Sequence, residues 1–325
     1  MNTKLRQTIQ YLFLAFTVLV GIRFYIFFQY YYNYGEGLYL GRPHAVEAFL
    51  PLSALVGIKS WVSNGIFDTI HPAAIIILLT FILISYIFRK AFCGWICPFG
   101  WISERLSALA NRFIGKQFTL PNWLDIPLRS IKYLLLGFFL YGIFYQMNGM
   151  AAYMFKMSDY NKISDIKMLL FLIDMSKTTL ISILIILALT FYIKNFWCRY
   201  LCPYGAFMGI FGWFSPSVIT RNADTCIDCS KCNKACINQL DIMNKKEVFS
   251  PECNSCLACV DACPQKGTLE YKFINKNYGK WIIPVSILTI YFGVMAIAII
   301  TGVWQTQLTP EEYLNLIPYV NSVVH

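Results

Sequence analysis

Two sets of four cysteines carry the clearest chemical signal in this 325-residue chain. Both sets have the spacing C-x2-C-x2-C-x3-C, and a proline follows the last cysteine of the second set. Proteins hold pairs of [4Fe–4S] clusters with this spacing, and the fourth cysteine of each set then ligates the other cluster. We therefore predict two [4Fe–4S] clusters. The predicted ligands are Cys226, Cys229, Cys232 and Cys263 for the first cluster and Cys253, Cys256, Cys259 and Cys236 for the second.

Zinc and disulfide bonds are the main alternatives for these eight cysteines. A structural zinc site needs two separated C-x2-C pairs and gives no reason for a third cysteine after two more residues. Disulfide bonds are disfavoured because the charge pattern described below puts this stretch in the cytoplasm. The first set departs from the pattern in one respect, since Ile237 and not proline follows Cys236. That departure removes no ligand.

The other four cysteines form two copies of a second motif, C-x3-C-P followed by an aromatic residue and a glycine. One copy contains Cys93 and Cys97, and the other contains Cys198 and Cys202. Three interpretations stay open: an additional metal or cluster site, two redox-active dithiols, or packing of small apolar side chains. The proline after each second cysteine favours the start of a helix, and a helix N-terminus favours the thiolate form of cysteine.

The composition predicts a membrane protein. Hydrophobic residues make up 57% of the chain and charged residues only 14%, a balance that does not suit a soluble domain of this size. The net charge of +10 does not indicate nucleic acid, because the basic residues cluster beside apolar runs, where the membrane surface explains them. Three histidines and no C-x-x-C-H motif argue against haem.

Apolar runs predict about five transmembrane helices, since each is close to the length that a bilayer requires. They cover about residues 11–30, 65–87, 131–150, 178–196 and 281–304. Residues 45–62 are apolar but carry Glu47 and Lys59, which predicts an amphipathic or re-entrant segment. Residues 151–177 are predicted to form a mixed polar loop.

Basic residues predict the orientation of these helices. With the N-terminus in the cytoplasm, the inner segments carry 20 Lys or Arg and the outer segments six, as the positive-inside rule requires. Both kinds of cysteine motif then lie on the cytoplasmic side of a bacterial inner membrane. Arg23, inside the first helix, is expected to snorkel or to pair with Glu36 or Glu47. His71 is expected to be structural, with a role as acceptor of a quinol proton as the alternative.

Residues 11–115 and 131–215 share one layout, which is a span, an outer loop, a span, the C-x3-C-P motif and a surface helix at about 101–114 or 206–214. A duplication of this kind predicts two parallel repeats about a pseudo-twofold axis along the membrane normal. That axis would bring the four C-x3-C-P cysteines together. The expected fold is a polytopic α-helical membrane protein with an inserted small α+β two-cluster ferredoxin-like domain. The predicted domains are the first repeat (1–115), the second repeat (116–221), the cytoplasmic cluster domain (222–273) and a last transmembrane helix with an outer tail (274–325).

The combination of paired C-x3-C-P motifs, a two-cluster segment and a last span resembles the NapH/NosR-like family of membrane-bound 4Fe-4S proteins, with the FixG/CcoG-type proteins as relatives. The resemblance covers nearly the whole chain. It implies electron transfer between the membrane pool, with quinol as the expected donor, and a protein redox partner, as in a quinol dehydrogenase system. The alternative that it implies is a copper or iron reductase, or a cofactor-assembly factor, that uses the C-x3-C-P cysteines.

Basic residues near the clusters suggest how such a partner would be attracted. Lysines could steer an acidic redox protein, although they could equally form a solvated face. The lysines concerned are Lys231, Lys234, Lys245, Lys246 and Lys266. The sequence leaves the direction of electron flow open.

Overall fold

Helices dominate the computed structural model, which describes residues 2–115, 117–274, 276–278 and 281–323. Lys116 and Lys280, two of the basic residues counted on the inner side, lie outside the described residues. The chain forms two compact units, and each is assembled from several stretches. The first unit draws on residues 1–14, 81–136 and 182–291, and the second on residues 15–80, 137–181 and 292–325.

The secondary structure is as follows. The α-helices are α1 (Asn2–Tyr32), α2 (Pro51–Asn64), α3 (Pro72–Phe88), α4 (Ala91–Trp95), α5 (Pro98–Ile114), α6 (Asn122–Leu140), α7 (Gly149–Met157), α8 (Asp159–Lys162), α9 (Ser164–Ile173), α10 (Lys177–Tyr192), α11 (Pro203–Trp213), α12 (Lys231–Ala235), α13 (Ala258–Ala262), α14 (Ile282–Ile300) and α15 (Pro310–Leu316). A 3-10 helix covers His44–Phe49, and π-helical turns cover Tyr141–Gln146 and Trp197–Leu201. The strands are β1 (Ser217–Arg221), β2 (Glu247–Val248), β3 (Leu269–Phe273) and β4 (Lys276–Asn277).

Three helical stretches of the described chain are long and apolar enough to cross a membrane: Thr3–Tyr32, Trp123–Gln146 and Ile282–Ile300. Helices α9 and α10 would together make a fourth, with a bend of 75° between them. Helix α3 is apolar but has only 17 residues, which is short for a span. A mostly helical architecture with candidate membrane spans is therefore confirmed. The number of five spans and the two-repeat layout stay predictions.

The small sheet of the first unit has the strand order β2-β1-β3-β4, and all its pairs are antiparallel. Ile219 lies opposite Val248 on one side and Tyr271 on the other, and all three side chains are buried. Helices α12 and α13 pack against each other. The sheet begins at Ser217, before the predicted boundary at residue 222, because the β-branched residues that follow Ser217 favour a strand.

The prolines of the two C-x3-C-P motifs begin helices, as predicted. Pro98 lies in the first turn of α5 and Pro203 in the first turn of α11. Proline suits this position, because the backbone N–H that it lacks would have no partner within the helix there. Helix α5 buries Ser103, Ser107 and Ala110, which lie on one face at helical spacing.

In the second unit, α2 packs against α7 at a close approach. A Cβ at Gly149 would lie 2.6 Å from the Cβ of Ser63, so only glycine fits there. The predicted amphipathic or re-entrant segment is thus the 3-10 helix followed by α2. Side chains from α1, the 3-10 helix, α9 and α15 contribute to an apolar core of this unit. Its buried residues are Phe24, Phe27, Phe28, Tyr31, Val46, Ile70, Ile163, Ile166, Leu308, Tyr313, Ile317 and Val320.

One prediction for the second unit is wrong. Residues 151–177 are mostly helical, because polar residues of this stretch begin helices instead: Ser158 caps α8, and Asp159 and Asp165 lie in the first turns of α8 and α9. Of the two alternatives for Arg23, pairing with Glu36 or Glu47 is not the one found, since the exposed side chain donates from Nε to the Gly41 carbonyl at 2.8 Å; snorkelling stays a prediction. Glu47 pairs with Arg42 instead.

Candidate iron–sulfur sites

Four cysteines of the first unit line one cavity: Cys236, Cys253, Cys256 and Cys259. They are the four that the spacing predicts as ligands of the second cluster. Apolar side chains complete much of the wall, namely Ile219, Ile237, Leu240, Ile242, Val248 and Leu257. Four thiols around a largely apolar cavity fit the donor set of a [4Fe–4S] cluster.

Burial and backbone N–H donors shift the pKa values of these thiols in opposite directions. Burial raises the pKa of Cys236 to about 11, although the Leu240 N–H, which lies 3.3 Å from its Sγ, favours the thiolate. Burial likewise raises the pKa of Cys259, and the thiols of Cys256, Cys253 and Cys236 raise it further. Free thiolates would therefore be costly here, and iron is the charge that would hold them deprotonated.

The two ferredoxin loops share an unusual backbone conformation. In each loop, the residue before the second cysteine and the residue after it have positive φ: Asp228 and Ser230 in the first loop, and Ser255 and Leu257 in the second. Non-glycine residues rarely adopt this conformation. Alternating backbone of this type points successive N–H groups inward and forms a site for an anion. The loops thus suit a negatively charged cluster.

The first predicted cluster site is more open. Cys229 is exposed, Cys226 and Cys263 are partly exposed, and only Cys232 is buried. Burial raises the pKa of the Cys232 thiol, and the Cys263 and Cys226 thiols raise it further. The structure thus brings three of the four predicted ligands together, with Cys229 on the surface beside them in the chain.

The four C-x3-C-P cysteines also converge. Burial raises the pKa of Cys198, and the thiols of Cys202, Cys97 and Cys93 all add to that rise. Cys202 caps the N-terminus of α11, where its Sγ accepts from the Gly205 N–H at 3.3 Å. Burial raises the pKa of Cys97 to about 11, and the nearby N–H groups of residues 99 and 100 lower it in part. Both copies therefore place a thiol at the start of a helix, although Cys97 makes no cap hydrogen bond like that of Cys202.

The glycines of the first C-x3-C-P copy are needed for close packing. A Cβ at Gly100 would lie 2.3 Å from the carbonyl oxygen of Cys93. A Cβ at Gly94 would lie 2.8 Å from the carbonyl oxygen of Asn254 and 3.4 Å from the Cβ of Cys256. The C-x3-C-P group thus packs directly against the loop that carries the second cysteine set.

Hydrogen bonds hold that loop on the C-x3-C-P segment. The buried Trp95 indole donates to the Ser255 carbonyl at 3.0 Å, and the Lys90 N–H donates to the Cys253 carbonyl at 3.3 Å. The amide of Asn238 donates to the Glu252 carbonyl at 2.5 Å. The backbone around Cys253 and Cys256 is therefore fixed from several sides.

Sequence reasoning missed a buried anchor beside these cysteines. Arg199, inside the second C-x3-C-P motif, donates to both carboxylate oxygens of Asp125 at 2.9 Å. It also donates to the Asn238 carbonyl, and the Tyr200 hydroxyl donates to Asp125 at 2.5 Å. A charged residue between the two cysteines of a motif at the end of an apolar run was the signal that could have revealed this anchor.

Among the described residues, no three His, Cys, Asp or Glu side chains form a group that could hold a single metal ion. A cubane asks for a different arrangement, because each of its four irons takes one thiolate and the ligands stand apart around the core. The cysteine groups described above have the composition for that arrangement.

His71 lies in the second unit, in a buried polar network. Its Nε2 lies 2.6 Å from the Asn161 carbonyl and its Nδ1 lies 3.4 Å from Oε1 of Glu47. Arg42 pairs with Glu47 and Asp165, at 2.7 Å each.

Comparisons with protein families agree with the geometry of the cysteine groups. A model described as a 4Fe-4S dicluster domain matches residues 218–264, which carry all eight ferredoxin-type cysteines. A second model, described as a 4Fe-4S binding domain, matches twice, at residues 70–117 and 177–221. Each of those matches contains one C-x3-C-P motif. The fold and the sites therefore define a membrane-type protein with 4Fe-4S domains.

Individual relatives identify the family. The chain is 39% identical over 330 residues to the putative electron transport protein YccM of Escherichia coli, covering 99% of this chain and 92% of the relative. It is 29% identical to the ferredoxin-type protein NapH of Haemophilus influenzae, over 67% of this chain and 74% of the relative. It is 28% identical to the regulatory protein NosR of Pseudomonas aeruginosa, over 58% of this chain and 27% of the relative. The chain belongs to the NapH/NosR-like family of membrane-bound 4Fe-4S proteins. No solved structure matches it.

Proposed function

We propose that this protein passes electrons between the membrane quinol pool and a soluble redox partner through iron–sulfur clusters. The observation that carries this proposal is that all twelve cysteines belong to the first compact unit. They form a more exposed group, a cavity-lining group and a half-buried C-x3-C-P group. The printed name of the relative YccM, a putative electron transport protein, supports the same role.

The first cluster is assigned to Cys226, Cys229, Cys232 and Cys263, and the second to Cys253, Cys256, Cys259 and Cys236. When bound, the clusters supply one-electron redox chemistry. The protein's own part is to exclude water from the second set, to fix its loop through Trp95, and to leave the first set near solvent. That arrangement suits exchange with a soluble partner at the first set only.

A third cluster is assigned to Cys93, Cys97, Cys198 and Cys202. Three features support it: the convergence of the four thiols, the helix-start N–H groups aimed at two of them, and the two matches to a 4Fe-4S binding domain. The dithiol and packing interpretations account less well for thiols from both copies meeting at one place. In the proposed order of electron transfer, electrons pass from the cluster on the C-x3-C-P cysteines to the second cluster and from there to the first cluster.

Aromatic side chains join the C-x3-C-P group to apolar helices. The ring of Phe92, next to Cys93, stacks on Phe81 of α3 with centroids 3.8 Å apart. Phe81 in turn stacks on Tyr291 of α14 at 6.0 Å, and Tyr204 packs against Phe92 at 6.1 Å. A dry, close-packed contact of this kind suits electron entry from a membrane donor such as quinol.

The clusters are proposed to face the cytoplasm, with five spans and two parallel repeats as the sequence predicts. Accessibility of single added cysteines to a membrane-impermeant reagent tests this orientation. Labelling of an added cysteine near Lys276 in inverted vesicles, and not in intact cells, would support it. The opposite pattern would overturn it.

Iron content and electron paramagnetic resonance (EPR) test the function. The protein, purified without oxygen, is reduced with quinol or with dithionite. About twelve irons per chain with signals that quinol elicits would support the proposal. A metal reductase or assembly factor is the competing function, and soft thiolates do suit Cu(I). Stoichiometric copper at the C-x3-C-P cysteines, without reduction by quinol, would favour it and overturn the electron-transfer proposal.

A further inference from the structure

A buried ion triad lies in the first unit between two of the cysteine groups. Lys90 Nζ lies 2.7 Å from one carboxylate oxygen of Glu252, and Lys132 Nζ lies 2.6 Å from the other. The Tyr133 hydroxyl donates to the same carboxylate at 3.0 Å. Lys90, Lys132 and Glu252 are all buried. Buried charges are expensive even when paired, so a triad with unequal numbers of acids and bases needs a reason.

The residue that supplies the carboxylate of the triad belongs to the loop of the second cysteine set. Glu252 directly precedes Cys253 and lines the cavity that Cys236, Cys253, Cys256 and Cys259 share. Two hydrogen bonds fix its backbone, from its own N–H to the Ser250 hydroxyl at 3.2 Å and from the Asn238 amide to its carbonyl. The acid therefore cannot move away from the cluster loop without breaking both.

The lysines of the triad belong to the surroundings of the C-x3-C-P group. Lys90 precedes the first of these motifs, and the Cys93 N–H donates to the Lys90 carbonyl at 3.0 Å. The charge of Lys90 favours the thiolate form of Cys93, Cys198 and Cys202, and the charge of Lys132 favours that of Cys93 and Cys202. Helix α11 approaches closely here, since a Cβ at Gly209 would meet Lys90 Cδ and the Tyr133 hydroxyl at 3.5 Å. The lysine stems are thus packed in place.

Charge balance explains the excess of base. Two ammonium groups and one carboxylate leave one net positive charge inside the unit. A cluster with four thiolate ligands is negative, and reduction adds one more negative charge. A negative charge in a buried site is energetically unfavourable unless a fixed positive group lies close to it.

We propose that Lys90 and Lys132 are positioning residues that stabilise the reduced form of a cluster on the C-x3-C-P cysteines, and that Glu252 limits their effect. This inference rests on the third cluster of the proposed function. It predicts opposite effects for the two signs of charge. Removal of a lysine charge lowers the reduction potential of that centre, and removal of the carboxylate charge raises it.

Potentiometric titration monitored by EPR tests the proposal on the full-length protein. Lys132→Met keeps an apolar stem and removes the charge, Glu252→Gln keeps the shape of the acid, and Lys132→Arg keeps the charge. Lys276→Met, at an exposed lysine of β4, is the control for lost positive charge. Iron is counted in each variant so that loss of a cluster is not mistaken for a shift.

The expected result is a lower potential in Lys132→Met, a higher one in Glu252→Gln, and little change in Lys132→Arg or Lys276→Met. Shifts of the same sign in Lys132→Met and Glu252→Gln, or no shift with full iron content, would overturn the proposal and leave the third cluster standing. If Lys132→Met loses iron, Glu252→Gln becomes the test: a higher reduction potential in that variant would support the proposal, and a lower or unchanged one would overturn it. A wild-type protein with only about eight irons would instead overturn the cluster on which the inference rests.

Discussion

The two predicted cluster sites are built from one ligand spacing and one type of backbone turn, yet their ligands differ in exposure. Three of the four ligands predicted for the second cluster are buried, namely Cys236, Cys253 and Cys259, whereas Cys232 alone is buried among the four predicted for the first cluster. The loop of the second set is held by Trp95 and packs on Gly94. The exposed half and the buried half are therefore one motif in two environments.

This difference in exposure suits the two sites to different tasks, although their sequence motif is the same. A solvent-exposed cluster can approach a soluble partner, and a buried cluster can exchange electrons only with its neighbours in the same protein. Exposure also changes reduction potential, because water stabilises the more highly charged state. Under the proposed assignment, identical ligand spacing yields an outer centre and an inner centre. Changes on each side should have different consequences.

The largest contrast is expected from removing one ligand in each half. Cys259→Ser and Cys229→Ser should each lose about four irons per chain. In Cys259→Ser, quinol should no longer reduce the exposed cluster, because the inner centre on the route is missing. In Cys229→Ser, the inner centre should still be reduced. EPR after reduction by quinol measures both outcomes, with dithionite as the control reductant. Reduction of the exposed cluster by quinol in Cys259→Ser would break the proposed order.

The buried side should also depend more strongly on its ion pairs. Burial raises the pKa of Glu104, but the charge and hydrogen bonds of Arg6 outweigh this and lower it below its ordinary 4.5. The carboxylate therefore stabilises the fold above about pH 4.5 and loses that contribution as the pH falls through its folded-state pKa. Arg6 is buried and also donates to the Gly94 carbonyl. Glu104→Gln should destabilise by roughly 3 kcal/mol at neutral pH and flatten the acid-side dependence.

Thermal unfolding in detergent across the acid range measures the effect of Glu104→Gln. The matched control is Asp228→Asn on the exposed side, where Arg221 lies 4.0 Å away and the Asp228 side chain is 74% exposed. An exposed pair of this kind contributes less than about 1 kcal/mol. Equal losses in the two variants would mean that the buried and exposed sides do not differ in their electrostatics.

Local spacing was sufficient to predict much of this molecule. The eight ferredoxin-type cysteines, the helix starts at Pro98 and Pro203, and the mostly helical architecture follow from rules that act over a few residues. Spacing within a motif determines backbone conformation directly, as the paired positive-φ residues of the two loops illustrate. The assignment of individual cysteines to individual clusters stays a prediction.

Partners far apart in the chain could not be predicted from single positions. Lys90 and Lys132 counted only as basic residues at the cytoplasmic ends of spans, yet both are buried against Glu252. Ser158 lay in a stretch predicted to be a loop, because polar residues favour both loops and helix caps, yet it caps α8. Arg42 was likewise missed as the partner of Glu47. In each case the contact that decides the role is made by tertiary structure.

A smaller contrast is expected between the two copies of the C-x3-C-P motif on the buried side. A Cβ at Gly100 would lie 2.3 Å from the Cys93 carbonyl oxygen, whereas a Cβ at Gly205 would lie 3.7 Å from the Cys198 carbonyl oxygen. Gly100→Ala should therefore destabilise by about 1–3 kcal/mol through overpacking. Gly205→Ala should be neutral or slightly stabilising, because alanine favours a helix. Melting temperatures and iron content of the two variants give the measurement, and similar values for both would show that the copies are packed alike.

The smallest effect is expected at the exposed side, where charge is proposed to steer a redox partner. Lys266 is exposed and follows Cys263 by three residues. Lys266→Glu should slow electron exchange with an acidic [2Fe–2S] ferredoxin, used as the probe, by a few-fold at low salt. The difference should shrink as salt is added, because ions screen exposed charges. Stopped-flow kinetics at several ionic strengths measure it, with Lys177→Glu as the control, since that exposed lysine lies in the second unit. A loss of the same size in Lys177→Glu, or one that salt leaves unchanged, would argue against docking at the exposed cysteine set.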